Sequence, residues 1–409
     1  MSRALKAAQS TGPRAPLPYG QHWIDESDIA AVVAVLRSDR LAHGPKVGEF
    51  ESALAAAVGA RAAAACSSGT AALHLALAAL DVGPRDLCIV PAMSFLSTAT
   101  AVRFCGAEVA FADVDPATGL LTAETLAAAI AAAGGRPKAV LPVHLGGRIC
   151  AMEPLAAVAR SAGAAIVEDA CHALGGADAA GRIVGGCALS DAAAFSFHPV
   201  KTIAAGEGGM VTTNDADRAE RMRRLANHGV TKAAGLLTDP ALSLDASGDV
   251  NPWSYEQIEL GYNYRMNELE AALGLSQLAK LDRFAERRRT LALRYDQALA
   301  GMVDLVLPVT GAPGDRISPH LYQVRIDFER VGVGRARLMR QMGEAGIGTQ
   351  VHYIPIYRQP YFRDRYGEQR MAGAEAFFAR VLALPLFPAM LDEDVDRVVD
   401  ALGRALGLD

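Results

Sequence analysis

A chain of 409 residues with formal net charge −5, 51% of it hydrophobic and 21% charged, has the make-up of a globular enzyme with apolar side chains enough for two domains. The acidic balance offers no basic face for nucleic acid or an anionic membrane, and no run of about 18 apolar residues free of charge or turn signals predicts a membrane span. The six cysteines, Cys66, Cys88, Cys105, Cys150, Cys171 and Cys187, form neither a CxxC pair nor a zinc spacing with histidine, which predicts reduced thiols in a cytoplasmic protein and no metal site.

Residues 1–18 lack an apolar stretch of signal-peptide length and read as a flexible tail. Asp25-Glu-Ser-Asp-Ile29 opens an amphipathic helix to about Arg37, capped by Asp25 or Ser27. Phe50 to Val58 predicts a second helix. Beyond it, short apolar runs (Ala62–Ala65, Leu87–Val90, Val109–Phe111, Ala139–Pro142, Ala164–Val167) alternate with segments of helical spacing (Thr70–Leu80, Ala123–Ala133, Pro154–Ala162). Strands alternating with helices predict a mostly parallel sheet covered on both faces, with ligands beyond its carboxyl edge. Ala192–Phe197 and Met210–Thr213 are two further strands, joined by a loop too short for a helix, so they should pair antiparallel. Gly229 to Trp253, rich in Gly, Asp, Pro and Ser, reads as a mobile excursion. Asn267 to Tyr295 reads as one long helix capped by Asn267. A strand at Tyr322–Ile326 and helices near Arg335–Ala345, Ala374–Val381 and from Asp392 complete a smaller α+β unit. The division is a large domain over 19–275 and a small one over 276–409.

Four constellations carry chemistry. Cys66-Ser67-Ser68-Gly69-Thr70 stands between a strand and a helix, where unpaired N–H groups and hydroxyls suit a phosphate; the plainer alternative is that Ser68 only caps the helix. Asp169 ends the apolar strand Ile166-Val167-Glu168, so its carboxylate faces the crevice and is suited to a protonated ring nitrogen; a polar residue leaving a strand is the alternative. Lys201, in Ser196-Phe197-His198-Pro199-Val200-Lys201 before Gly206-Glu207-Gly208-Gly209, sits on a tight loop between two strands. A lysine there becomes a usable amine nucleophile if a cleft lowers its pKa from about 10.4; otherwise it is a solvated loop residue. Gly261-Tyr262-Asn263-Tyr264-Arg265 offers an anion clamp or merely core aromatics. Gly146-Gly147 is no dinucleotide fingerprint, because GxGxxG is absent.

Together, S-S-G-T, E-D-A-C-H-A-L-G, S-F-H-P-V-K-T-I-A-A-G-E-G-G-M-V-T-T-N and G-Y-N-Y-R-M-N-E-L-E-A-A-L-G resemble, in order, the DegT/DnrJ/EryC1/StrS family of pyridoxal-phosphate-dependent aminotransferases of fold type I, which act on nucleotide-linked keto sugars. The resemblance implies a mostly parallel seven-stranded sheet with helices on both faces plus a smaller C-terminal α+β domain. It implies Lys201 as covalent anchor and proton shuttle, Asp169 on the ring nitrogen, Phe95 stacked on the ring, and Ser68, Gly69, Thr70 and Ser196 on the phosphate and substrate side. Asn263 would reach the phosphate in the neighbouring subunit, making a homodimer with shared sites. His172 stands where many members carry glutamine near the ring hydroxyl. F-H-P-V-K, L-G-L-S-Q-L-A-K-L-D-R-F and H-Y-I-P-I-Y are similar to the branch that makes the 4-amino sugar precursor of pseudaminic acid. That branch implies substrate contacts at Tyr19, Leu41, Ala42, His43, Gly44, His352, Tyr353 and Tyr357, besides Ser68, Ser196 and Asn263. The implied reaction takes an amino group from L-glutamate to the C4 ketone of UDP-2-acetamido-2,6-dideoxy-beta-L-arabino-hex-4-ulose. Other UDP-, dTDP- or GDP-linked keto sugars, a sugar dehydratase and a non-catalytic relative are the alternatives. Relatives that dehydrate carry histidine in place of Lys201, and intact Lys201, Asp169 and Ser196 count against a non-catalytic protein.

Overall fold

Valine and isoleucine runs favour strands, and the alanine runs of Ala62–Cys66 and Ala192–Ser196 become strands against alanine's own preference because both faces of the sheet are buried under helices. The computed structural model describes residues 15–134, 136–302 and 304–408. Strands β1 (Ala62–Cys66), β2 (Leu87–Pro91), β3 (Glu108–Ala112), β4 (Ala139–Val140), β5 (Ala165–Asp169), β6 (Ala192–Ser196) and β7 (Gly209–Thr213) form one sheet in the order β1-β7-β6-β5-β4-β2-β3. As expected, β7 is antiparallel to β6; it is also antiparallel to β1, and the remaining pairs are parallel. The carboxyl ends of β1, β2, β5 and β6 therefore lie on one edge.

The period-two rule divides each strand between two cores. Among the described residues the helices α1 (Glu26–Leu36) and α2 (Lys46–Val58) come first; Ala64 and Cys66 of β1, Cys88 and Val90 of β2 and Val167 of β5 pack with α3 (Gly69–Ala78) and α4 (Ser97–Phe104), while Ala63, Ala65, Ile89 and Ile166 face the other side. There they meet Phe50, Leu54, Ala271 and Leu278, or Leu126 and Leu155. Burial of each such leucine or phenylalanine contributes about 1.5–3 kcal/mol.

Beyond this sheet, β10 (Val306–Pro308), β11 (Tyr322–Ile326) and β12 (Val381–Leu384) form an antiparallel sheet, packed with the helices Leu281–Ala298, Arg335–Glu344 and Asp392–Leu406 around a separate core that includes Leu291, Val324, Leu382 and Leu402. Leu17 joins that core at 1% exposure and its N–H bonds the Gly346 carbonyl at 2.8 Å. Of the flexible tail expected over 1–18, residues 1–14 lie outside the described residues, and the part around Leu17 is fixed in this core rather than loose.

Local signals placed several elements correctly. Asp25 caps Glu26–Leu36 through a capping box with Asp28, and Asn267 caps Glu268–Leu278 through one with Glu270. The single helix expected over Asn267–Tyr295 is instead two, Glu268–Leu278 and Leu281–Ala298. No glycine or proline causes the break. Gln277 Nε2 donates to Asp28 (2.8 Å) and to the Trp23 carbonyl, and Lys280 Nζ contacts Asp25 (2.6 Å) and Asp28 (2.8 Å), so long-range contacts bend the chain. The helix expected to run to Val381 stops at Arg380, and Val-Leu-Ala-Leu, fully buried, continues as β12. The 229–253 excursion carries a one-turn helix (Pro240–Ser243), and its strand β8 (Val230–Thr231) pairs with β9 (Glu256–Gln257) just beyond it. Glu256 accepts from Thr238 and Ser243 within it.

Gly209 pairs with both Cys66 and Ser196, and a Cβ there would overlap the Ser68 carbonyl, which is main chain and cannot swing away. Gly209→Ala should destabilise the fold by about 2 kcal/mol or more, read by denaturant unfolding. Unchanged stability would show that β1 and β7 are not held this closely.

Candidate active site

The carboxyl edge of the sheet gathers side chains that are far apart in the chain. A cleft of about 570 Å³ is lined by Ser68, Gly69 and Thr70 after β1, Ser94 and Phe95 after β2, Asp169 at the end of β5, Cys171 and His172 just beyond, and Ser196, His198 and Lys201 after β6. Tyr19, Gln350, His352 and Tyr353 form the facing wall.

Asp169 is buried and fixed from two sides. Thr98 Oγ1 donates to Oδ2 at 2.7 Å, and the Cys171 N–H donates to Oδ1 at 3.3 Å. Ser94 Oγ lies 2.6 Å from Thr98 Oγ1 and continues the chain of hydroxyls. Sequence reasoning missed Thr98 and Cys171. Thr98 had no signal, being an ordinary residue in the first turn of α4.

Lys201 is half-buried, its loop held by its own N–H to the His198 carbonyl at 2.8 Å. Burial pushes its amine below the ordinary lysine value, while Cys171 and the Asp169 carboxylate pull the other way. A depressed pKa leaves more of the unprotonated, nucleophilic amine at neutral pH.

Ser68 has an extended backbone and its Oγ accepts from the Ala71 N–H at 3.1 Å, so it does cap α3 while also lining the cleft. Gly69 sits so close to Ser196 that an added Cβ would come within 2.7 Å of the Ser196 Cβ. Hydroxyls of Ser68, Thr70 and Ser196 and the positive end of α3 thus converge on a tight pocket suited to a phosphate. Phe95 leaves 53% of its surface exposed at the mouth, its ring 5.8 Å from that of Tyr353.

His172 is buried. The Gly146 N–H donates to its Nδ1 at 3.2 Å, and its Nε2 lies 3.3 Å from the Tyr353 hydroxyl. A lone pair is required on Nδ1, and burial together with the nearby Lys201 charge pushes the pKa well below the ordinary value. His172 is therefore neutral with its proton on Nε2, a donor into the cleft. His352 is likewise held neutral, its pKa lowered to about 4 by burial and by Lys201.

Three groups of expected residues fall elsewhere. Tyr357 is 1% exposed, donates to Glu375 at 2.6 Å, packs near Phe111 and does not line the cleft. The short helix Ile356–Arg358 turns it inward, away from His352 and Tyr353. Ala42, His43 and Gly44 line a second cleft together with Asn263, Arg265 and Asn227, and Leu41 stands exposed beside it. Asn263 is thus not in the Lys201 cleft of its own chain. Among the described residues no group of three or more His, Cys, Asp or Glu is placed to hold a metal, and no helix is long and apolar enough to cross a membrane. All six cysteines are free thiols.

A half-buried lysine amine of lowered pKa and a buried carboxylate at one sheet edge, beside hydroxyls and a helix start suited to a phosphate, fit a pyridoxal-phosphate enzyme of the fold-type-I class. Residues 22–403 match the DegT/DnrJ/EryC1/StrS aminotransferase family, and the chain belongs to it. It is 40% identical over 389 residues to the spore coat polysaccharide biosynthesis protein SpsC of Bacillus subtilis, covering 94% of this chain and 96% of SpsC. Its fold is similar to that of PseC of Helicobacter pylori, an aminotransferase of pseudaminic acid biosynthesis (TM-score 0.86, 27% identity, 96% of this chain and 99% of that one). The sugar aminotransferase Spr1654 of Streptococcus pneumoniae is also similar in its pyridoxamine-phosphate form (TM-score 0.85, 28% identity, 96% and 98% covered) and is known in a pyridoxal-phosphate form too. The protein is a sugar aminotransferase dependent on pyridoxal phosphate.

Because the Lys201 pKa is lower folded than unfolded, where 10.5 is ordinary, holding its proton costs the cofactor-free protein stability. That cost is present in full below the folded pKa and disappears as pH rises towards 10.5. Cofactor-free Lys201→Met should therefore be more stable than the parent at pH 7, with the gap narrowing in alkali. A pH-independent difference in unfolding midpoint would show that the amine is not desolvated.

Proposed function

We propose that the enzyme moves the amino group of L-glutamate to the C4 ketone of a UDP-linked 2-acetamido-2,6-dideoxy-4-hexulose, as a cytoplasmic homodimer with shared sites. The product would be UDP-4-amino-4,6-dideoxy-N-acetyl-beta-L-altrosamine. The observation that carries this reading is the wall facing Lys201. The segment at His352-Tyr353, from the H-Y-I-P-I-Y run typical of the pseudaminic branch, lines the same cleft as Lys201 and Asp169. The fold similarity to PseC supports the same branch.

Pyridoxal phosphate, when bound, supplies the electron sink that makes a proton beside the amine nitrogen removable. Lys201 Nζ takes that proton and returns it on the other side of the nitrogen, and its lowered pKa fits it to both roles. Asp169, oriented by Thr98, is the residue to hold the ring nitrogen protonated. His172 Nε2–H is suited to the ring hydroxyl, Phe95 to the ring face, and Ser68, Gly69, Thr70 and Ser196 to the phosphate. Tyr19, His352 and Tyr353 meet the sugar nucleotide.

The separation of Asn263 and the Ala42–Gly44 turn from the cleft of their own chain supports completion of each site by a second copy. We assign residues 19–275 to the cofactor-binding domain and 276–409 to the small domain; the nearest break in the chain, at Ala279–Lys280, lies a few residues later, because 275/276 falls inside the helix Glu268–Leu278.

Glutamate should bleach the visible band of the lysine-bound cofactor, and the UDP-linked 4-keto sugar should restore it; dTDP- and GDP-linked sugars test the nucleotide. Restoration by dTDP sugars alone would overturn the pseudaminic reading, and an unaltered band would remove glutamate as donor. Mixing inactive Lys201→Ala with Asn263→Ala should recover up to about a quarter of the activity, because half of the dimers then carry one complete site. No recovery after subunit exchange would mean that sites are not shared.

A further inference from the structure

We propose that Gln323, held by the buried Arg148, is a positioning residue for the sugar half of the reaction, fixing the His352–Tyr353 wall. This rests on the reading above that this wall meets the sugar.

The Gly146-Gly147-Arg148 turn belongs to no phosphate fingerprint, yet it is packed with unusual closeness. Gly147 has φ +97°, and a Cβ there would overlap the Ser318 carbonyl. The Gly146 carbonyl accepts from the N–H groups of His320 (3.0 Å) and Leu321 (3.2 Å), at the start of β11. This approach delivers Arg148 beneath the second sheet, where it is 2% exposed. Among the described residues no carboxylate pairs with it. Its Nη2 donates instead to the Thr118 carbonyl at 3.0 Å and to Gln323 Oε1 at 2.7 Å.

Gln323, 1% exposed on β11, passes the contact on: its Nε2 donates to the His352 carbonyl at 3.0 Å. The amide has one possible orientation. A guanidinium only donates and a carbonyl oxygen only accepts, so the Gln323 oxygen must face Arg148 and its nitrogen His352. A buried guanidinium without a counter-ion is a costly way to stabilise a core, and an apolar pair of the same volume would serve packing as well. What the polar relay adds is direction. It connects the turn whose Gly146 N–H sets the His172 tautomer to the backbone that presents His352 and Tyr353 to the cleft. Among the described residues neither Lys201 nor Asp169 hydrogen-bonds Arg148 or Gln323.

The test uses cofactor-loaded enzyme and separates the two halves of the reaction by single turnovers. Gln323→Glu keeps an acceptor for Arg148 but, when ionised, has no proton to donate to His352. Gln323→Met removes both contacts. In each folded variant the visible band of the lysine-bound cofactor and its bleaching by glutamate should stay within about twofold of the parent, while the UDP-keto-sugar concentration giving half-maximal recovery should rise about tenfold or more. If Gln323→Glu fails to fold, as judged by its melting curve, Gln323→Met carries the same expectation. Sugar dependence equal to the parent in a folded variant overturns the proposal, and so does an equal loss in both halves, which marks a merely structural role. A parent enzyme that no keto sugar restores removes the sugar reading itself, and the proposal falls with it; normal turnover by the parent with unaltered variants removes the proposal alone.

Discussion

The proposed chemistry depends on holding a half-buried amine and a buried carboxylate at the same sheet edge without letting them neutralise one another's purpose. Lys201 is destabilised as a cation by burial; Asp169 is anchored by Thr98 and by the main chain of its own loop. Each group is fixed by partners that are not its opposite number. That leaves the space between them for a charged heterocycle, in a low-dielectric setting where oriented charges act strongly. The parallel sheet makes this possible by ending β1, β2, β5 and β6 at one edge, while antiparallel β7 brings Gly209 against Ser68 and closes the end of the cleft proposed for the phosphate.

Much of this was readable in the chain because it is local. Caps at Asp25 and Asn267, the strand Tyr322–Ile326 and the short β6–β7 connection follow from spacing and side-chain chemistry within a few residues. The lysine block was readable because three unusual features, the tight loop, the glycines and the serine five residues upstream, coincide. What escaped was long-range. Thr98 orients Asp169 across 71 residues of chain, and Gln323 reaches Arg148 across 175. Neither residue type advertises such a partner. Tyr357 was misplaced for the converse reason: it shares a string with His352 and Tyr353, but a short helical turn gives it the opposite orientation.

Neutral imidazoles form a second theme. His172, His320 and His352 are each pushed away from protonation by burial, and each is close enough to Lys201 that its charge adds to the effect. Cationic rings there would add positive charge beside the lysine and disfavour its protonation further. Neutral rings instead offer directional donors and acceptors. The His172 tautomer is dictated by a main-chain N–H, so it does not vary with solution conditions as a side-chain partner would.

The break between Leu278 and Leu281 has a meaning beyond helix geometry. The joint between the two sheets contains no flexible residue; its angle is written in the reach of Gln277 and Lys280 towards Asp25 and Asp28. The two halves of the molecule are thus indexed to the helix Glu26–Leu36, like a bracket screwed to a post. A change at any of those four positions would release a contact that sets the angle between the two helices.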